Sequence, residues 1–175
     1  MFDLAALLTE YDRSLEFTRQ LTGDLTADEL HWRPDENSSA IAWHLGHQAH
    51  VAHFMVRNLI AAEPSPDVEF DRLMDSANPE RERTGLPSVE RLTAFRSAVA
   101  DRVRARVEAV DAGQVGAPEQ LRTVAQNLLV ALINHEYQHD QWVAEVRARD
   151  LGHALPDDPD TARLRRVDGY LMLRG

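Results

Sequence analysis

Along most of the chain, apolar residues return every three or four positions, the spacing of a helix with one buried face. Over residues 3–22 the repeat is carried by Leu4, Leu7, Leu8, Tyr11, Leu15 and Leu21, and Gly23 stands where such a helix would stop. The segment 24–39 is rich in turn formers and holds one short turn capped by Thr26. Ser38 or Ser39 is placed to cap a second long helix, about 39–62, whose stripe includes Ile41, Leu45, Val51, Phe54, Met55 and Leu59. Pro64, Pro66, Pro79 and Pro87 interrupt residues 63–87, which read as a long crossover with a short helix near Asp67–Asp75. Ser88 caps a third helix, about 89–111, carrying Val89, Leu92, Phe95, Val99, Val103, Val107 and Val110. "DAGQVGAP" separates it from a fourth, about 118–150, closed by Gly152. Strand-like alternation bounded by turn signals is not evident. The pattern predicts an all-α protein, one domain over 1–175. Its four-helix bundle spans about 3–152, with a tail, 153–175, whose "GYLML" (169–173) packs back on the bundle.

Composition removes several functions. The net charge is −10, which argues against non-specific binding to phosphates or to an anionic membrane. Nucleic acid and membrane are therefore not expected as partners. Cys is absent, which excludes disulfides, thiolate ligands and a Cys nucleophile; any metal must sit on His, Asp or Glu. The N-terminal segment lacks a cationic start and a long apolar core, and no apolar run approaches membrane-spanning length. A cytoplasmic location is expected.

The eight histidines are not evenly spread. His44, His47, His50 and His53 lie in "WHLGHQAHVAH", and His135 and His139 in "NHEYQHDQW". Three-residue steps drift around a helix, so at most two neighbours of the first group can share an ion. His135 and His139, four apart, stack one turn above the other and can place two imidazoles on one ion. The same stretch spells His-Glu-x-x-His, the zinc-protease string in which Glu136 would be the general base. A protease needs a third ligand downstream. Trp142 occupies the place of the Gly that extends that motif, and Glu145 lies about 15 Å along the helix from His135. A protease is not expected.

Residues 25–51, "LTADELHWRPDENSSAIAWHLGHQAHV", resemble the opening of the DinB/YfiT-like family: a Trp-Arg-Pro turn, a small capping residue, then Trp-His-Leu-Gly-His. Residues 132–152, "LINHEYQHDQWVAEVRARDLG", resemble that family's closing His-x-x-x-His helix. The likeness extends to the N-terminal half of ergothioneine-type sulfoxide synthases, whose third helix resembles residues 85–103. The resemblance implies an up-down-down-up bundle, which accounts for the crossover. It implies His47, His135 and His139 as metal ligands, with His44 the first and ordinarily non-ligating His of the motif. Those synthases use a second large domain for substrate, so a complete sulfoxide synthase is not expected from this chain.

Three neutral imidazoles leave a divalent ion its full charge and open positions, where a thiol would be deprotonated. Zinc, nickel and iron(II) all suit three nitrogens. The expected function is therefore a metal-dependent S-transferase joining a low-molecular-weight thiol to an electrophilic co-substrate, a reading that stand-alone relatives support by resemblance. A metal-hydroxide hydrolase or isomerase, and a non-enzymatic metal-bound stress protein, are the alternatives. Glu136 and Asp140, and more weakly Asn134 and Gln138, are candidates to orient the imidazoles. His50 is a candidate for the pocket mouth, whereas Trp43 and Trp142 are expected in the core or an interface. A homodimer through an exposed helix face is expected, with the crossover bordering the pocket.

Overall fold

The computed structural model describes residues 3–174. Helix α1 spans Leu4–Thr22, and Asp3 caps it by accepting a hydrogen bond from the Ala6 amide. Helix α2, Ala27–His31, opens on a capping box in which Thr26 and Glu29 each bond the other's backbone amide. Helix α3 spans Ile41–Val56, helix α4 Val68–Leu73, helix α5 Val89–Asp111 and helix α6 Pro118–Glu145. The last of these runs on through a widened turn, Val146–Asp150, in which the Leu151 amide reaches back to the Val146 carbonyl. Gly152, at φ +75°, then turns the chain away, as its position in the sequence predicts.

Cross-helix contacts give the directions. Thr18 of α1 meets Asp140 of α6, and further along the Leu21 carbonyl meets Arg147, so α1 and α6 run the same way. Leu45 and His53 of α3 meet Arg96 and Arg102 of α5, so these two are also parallel. His44 of α3 meets His139 of α6, whereas His47 packs against His135 as well, so α3 and α6 oppose each other. This is the up-down-down-up bundle. Its core takes in Leu7, Leu21, Ile41, Phe95 and Val103 of the predicted stripes, together with Leu129 and Ile133 of α6, whereas Phe54 of the second stripe is exposed.

Two parallel neighbours in sequence require a connection that returns along the bundle, and residues 57–88 supply it. The crossover is pinned along its length. Glu63 pairs with Arg102 and Arg106, Asp67 accepts two bonds from Arg91, and Phe70 stacks on Phe95 with ring centroids 4.2 Å apart.

Three expectations change. Helix α3 is shorter than 39–62. It starts after Ala40 with no side-chain cap, because Ser39 instead accepts a bond from Arg83. It stops at Val56, where the Leu59 amide closes a tighter turn that buries Leu59. The tail is not free of strands: β1, Leu164–Val167, pairs antiparallel with β2, Tyr170–Leu173. Asp168 and Gly169 join them at φ +50° and +90°, the two-residue turn that Asp-Gly favours. Leu171 and Leu173 are buried and β2 lies on α6, so "GYLML" does pack back on the bundle.

Candidate metal centre

Three imidazoles meet between α3 and α6. His47, His135 and His139 each offer a nitrogen, and these nitrogens all lie within 4.8 Å of one another. The ring centroids are 4.5 Å apart for His135 and His139, 5.0 Å for His47 and His139, and 5.4 Å for His47 and His135. The four-residue spacing on α6 sets the first distance, and the opposed course of α3 supplies the third ring.

The supporting bonds decide which nitrogen is free. His47 Nδ1 lies 2.8 Å from the Met74 carbonyl. A carbonyl only accepts, so Nδ1 carries the proton and Nε2 keeps its lone pair. His139 Nδ1 lies 2.9 Å from His44 Nδ1. When His139 donates this bond, its Nε2 is likewise left as a lone-pair donor. His135 Nδ1 is buried with no hydrogen-bond partner. Such an orphan is costly, and an ion between the rings is the kind of group that would relieve it.

Charge points the same way. Burial lowers the pKa of His47, His135 and His139, and neighbouring imidazoles push His135 and His139 down further, His135 to about 4. All three are therefore neutral near pH 7, the state a metal requires. With ordinary imidazoles, proton competition would begin near pH 6.5. Here the lowered values move it down, so divalent-ion affinity should stay nearly flat through pH 6.5 and decline only at more acidic pH. Chelator competition from pH 7 downward checks the expectation; a decline already under way at pH 6.5 contradicts it.

An open cavity of about 390 Å3 borders the centre. His47, His139 and His44 form one side, Trp43 and Trp142 are walls, and Asn37, Ser39, Ser76, Glu80 and Arg83 make the rim. The crossover therefore does border the mouth, through Ser76, Glu80 and Arg83. Trp43 is stacked on His47 with centroids 4.6 Å apart and planes 9° apart. Trp142 meets His139 edge-on at 4.8 Å. Both indoles thus belong to the site as well as to the packing.

The carboxylates on α6 lie in the bundle interior. Glu136 Oε2 is 3.5 Å from Arg96 Nη2, and burial raises its pKa. Asp140, with its pKa raised well above the ordinary value by burial and by Glu136, accepts bonds from Thr18 and Gln48. Neither residue lines the cavity, and Glu136 is buried away from it, unlike the base of a zinc protease. His50 donates to Asp71 at 2.7 Å and lies outside the cavity lining.

His44, the ordinarily non-ligating member of its motif, is the partner of His139. Its three-residue offset from His47 is the only sequence signal. His44→Ala should lower metal affinity about 10- to 100-fold, the usual cost of losing a group that orients a ligand. Metal titration of the folded variant measures this, and unchanged affinity would remove His44 from the site.

Fold and site define a class: a four-helix bundle whose facing helices present three histidines able to bind a metal ion. The family comparison agrees with that class. The family model of the DinB superfamily matches residues 10–143, and the chain belongs to this superfamily. No curated protein matches it.

Proposed function

We propose that this protein is a metal-dependent transferase that couples a small thiol to an electrophilic co-substrate. The observation that carries the reading is the cavity. It is open to solvent, bounded by two of the three candidate ligand imidazoles, and of a size for a small molecule rather than a polymer. Zinc, nickel or iron(II) on His47, His135 and His139 would supply a positive centre that lowers the pKa of a thiol placed beside it.

The residues of the chain do the rest. Trp43 and Trp142 line part of the cavity beside the ligand rings and offer apolar contact to the carbon portion of a substrate. Asn37, Ser39 and Ser76 offer hydrogen bonds at the rim for the polar end of a substrate. Reaction forms one S–C bond and breaks the bond from carbon to its leaving group, which departs as an anion while the thiol proton passes to solvent.

The test uses protein loaded with each metal in turn, at pH 7, with cysteine, cysteamine or 2-mercaptoethanol and 1-chloro-2,4-dinitrobenzene. Thioether absorbance should rise faster than in the uncatalysed mixture, and the excess rate should vanish with a chelator or in His139→Ala. A metal-loaded protein that gives no excess rate with any thiol, but hydrolyses an activated ester, would replace this reading with the hydrolase one.

A further inference from the structure

We propose that Arg83 is a positioning residue for His47, acting through the ring of Trp43. This rests on the three-histidine metal centre and is independent of the thiol chemistry. The guanidinium carbon lies 3.7 Å from the centroid of the Trp43 ring, and the other face of that indole is stacked on His47. Cation, indole and imidazole thus form one column running from the crossover to a candidate ligand.

Arg83 stands on the cavity rim, where a cation invites reading as an anchor for an anionic substrate. Its donors argue otherwise. Nε bonds the Asn78 carbonyl at 2.9 Å, Nη1 bonds Ser39 Oγ at 2.8 Å, and Nη2 bonds the Ser76 carbonyl at 3.3 Å. Glu80 is a further partner, 3.4 Å from Nη1. The fork is spent on holding the crossover to the start of α3, and its flat face is left for the indole. Arg suits this task where Lys does not, because the planar fork bonds along its edge while its face stacks.

Two restraints then meet on His47. The Met74 carbonyl fixes its rotation within the ring plane, and the Arg83–Trp43 stack fixes the plane itself. Both come from residues 74–83 of the crossover. A crossover substitution that touches no ligand should therefore change how the centre holds its ion.

The test is metal affinity, by chelator competition, together with the visible spectrum of the cobalt(II)-loaded protein. Arg83→Met removes both fork and charge and should weaken affinity about 10-fold or more and shift the cobalt bands. Arg83→Lys, which keeps the charge and loses the fork, should recover only part. Ser39→Ala removes a single bond to Arg83 and is the second variant if Arg83→Met does not fold; it should weaken affinity about threefold. A folded Arg83→Met, or failing that a folded Ser39→Ala, with unaltered affinity and an unaltered cobalt spectrum overturns the inference. Wild-type protein that binds no metal would instead overturn the centre on which it rests.

Discussion

His139→Ala is expected to abolish tight binding of one divalent ion per chain, a loss on the order of 10³-fold in affinity. That exceeds the 10- to 100-fold cost of losing an orienting partner, because a ligand is removed outright. His139 is the right residue to change. It packs against both His47 and His135, and its own partner is another histidine that lies in the cavity wall. Two other histidines serve as controls of the same chemistry in the wrong place. His31 bridges the carbonyls of Ala27 and Pro87, and His153 pairs with Glu29 at 2.7 Å. Each ties segments together, so His31→Ala and His153→Ala should lower stability and leave metal content at one per chain. Equilibrium dialysis with elemental analysis, on samples shown to be folded by circular dichroism, separates the two effects. Full metal content in His139→Ala would mean that the ion sits elsewhere.

The helices were legible because their signal is local and repeated. Stripes at helical spacing, with Gly23 after the first and Ser88 before the third, are enough to place α1 and α5 within a residue or two. The crossover was legible from its prolines. The β-hairpin was not, because each strand is four residues long and Arg165 and Arg166 stand side by side, which erases the alternation. Asp168-Gly169 was the signal available. At the centre, the pair on α6 could be read from its spacing, whereas His47 needed the family resemblance, since four histidines on α3 compete for the role. What supports the ligands was scarcely legible. The partner of His47 is a backbone carbonyl, which any residue at 74 would carry. Arg83 and Trp43 are neighbours only after the crossover has folded back. Glu136 and Asp140, the residues that proximity in sequence suggested as supports, instead point into the interior, because adjacent positions on a helix diverge by about 100°.

Gly46 joins the fold to the centre, and its substitution should cost both stability and metal. A Cβ built on Gly46 would lie 2.3 Å from Met74 Sδ and 2.9 Å from its Cγ and Cε. Met74 is fully buried, so making room for the new methyl means repacking its side chain against the core. Overpacking of this kind costs about 1–3 kcal/mol, and the better helix propensity of Ala returns about 1 kcal/mol of it. Met74 is also the residue whose carbonyl orients His47, so crowding that displaces its backbone would reach the ligand. Gly46→Ala should therefore lower the thermal midpoint of the metal-free protein and also weaken metal affinity about 10-fold. The glycine in Trp-His-Leu-Gly-His is thus explained by close approach rather than by backbone conformation, since it lies mid-helix. Met74→Ala alone should destabilise by about 2–5 kcal/mol through the cavity it leaves. Combined with Gly46→Ala it should cost at least about 1 kcal/mol less than the sum of the two, because the new methyl occupies the space vacated. Denaturant unfolding of the four proteins closes this cycle. An additive result would show that Gly46 is not kept small for Met74.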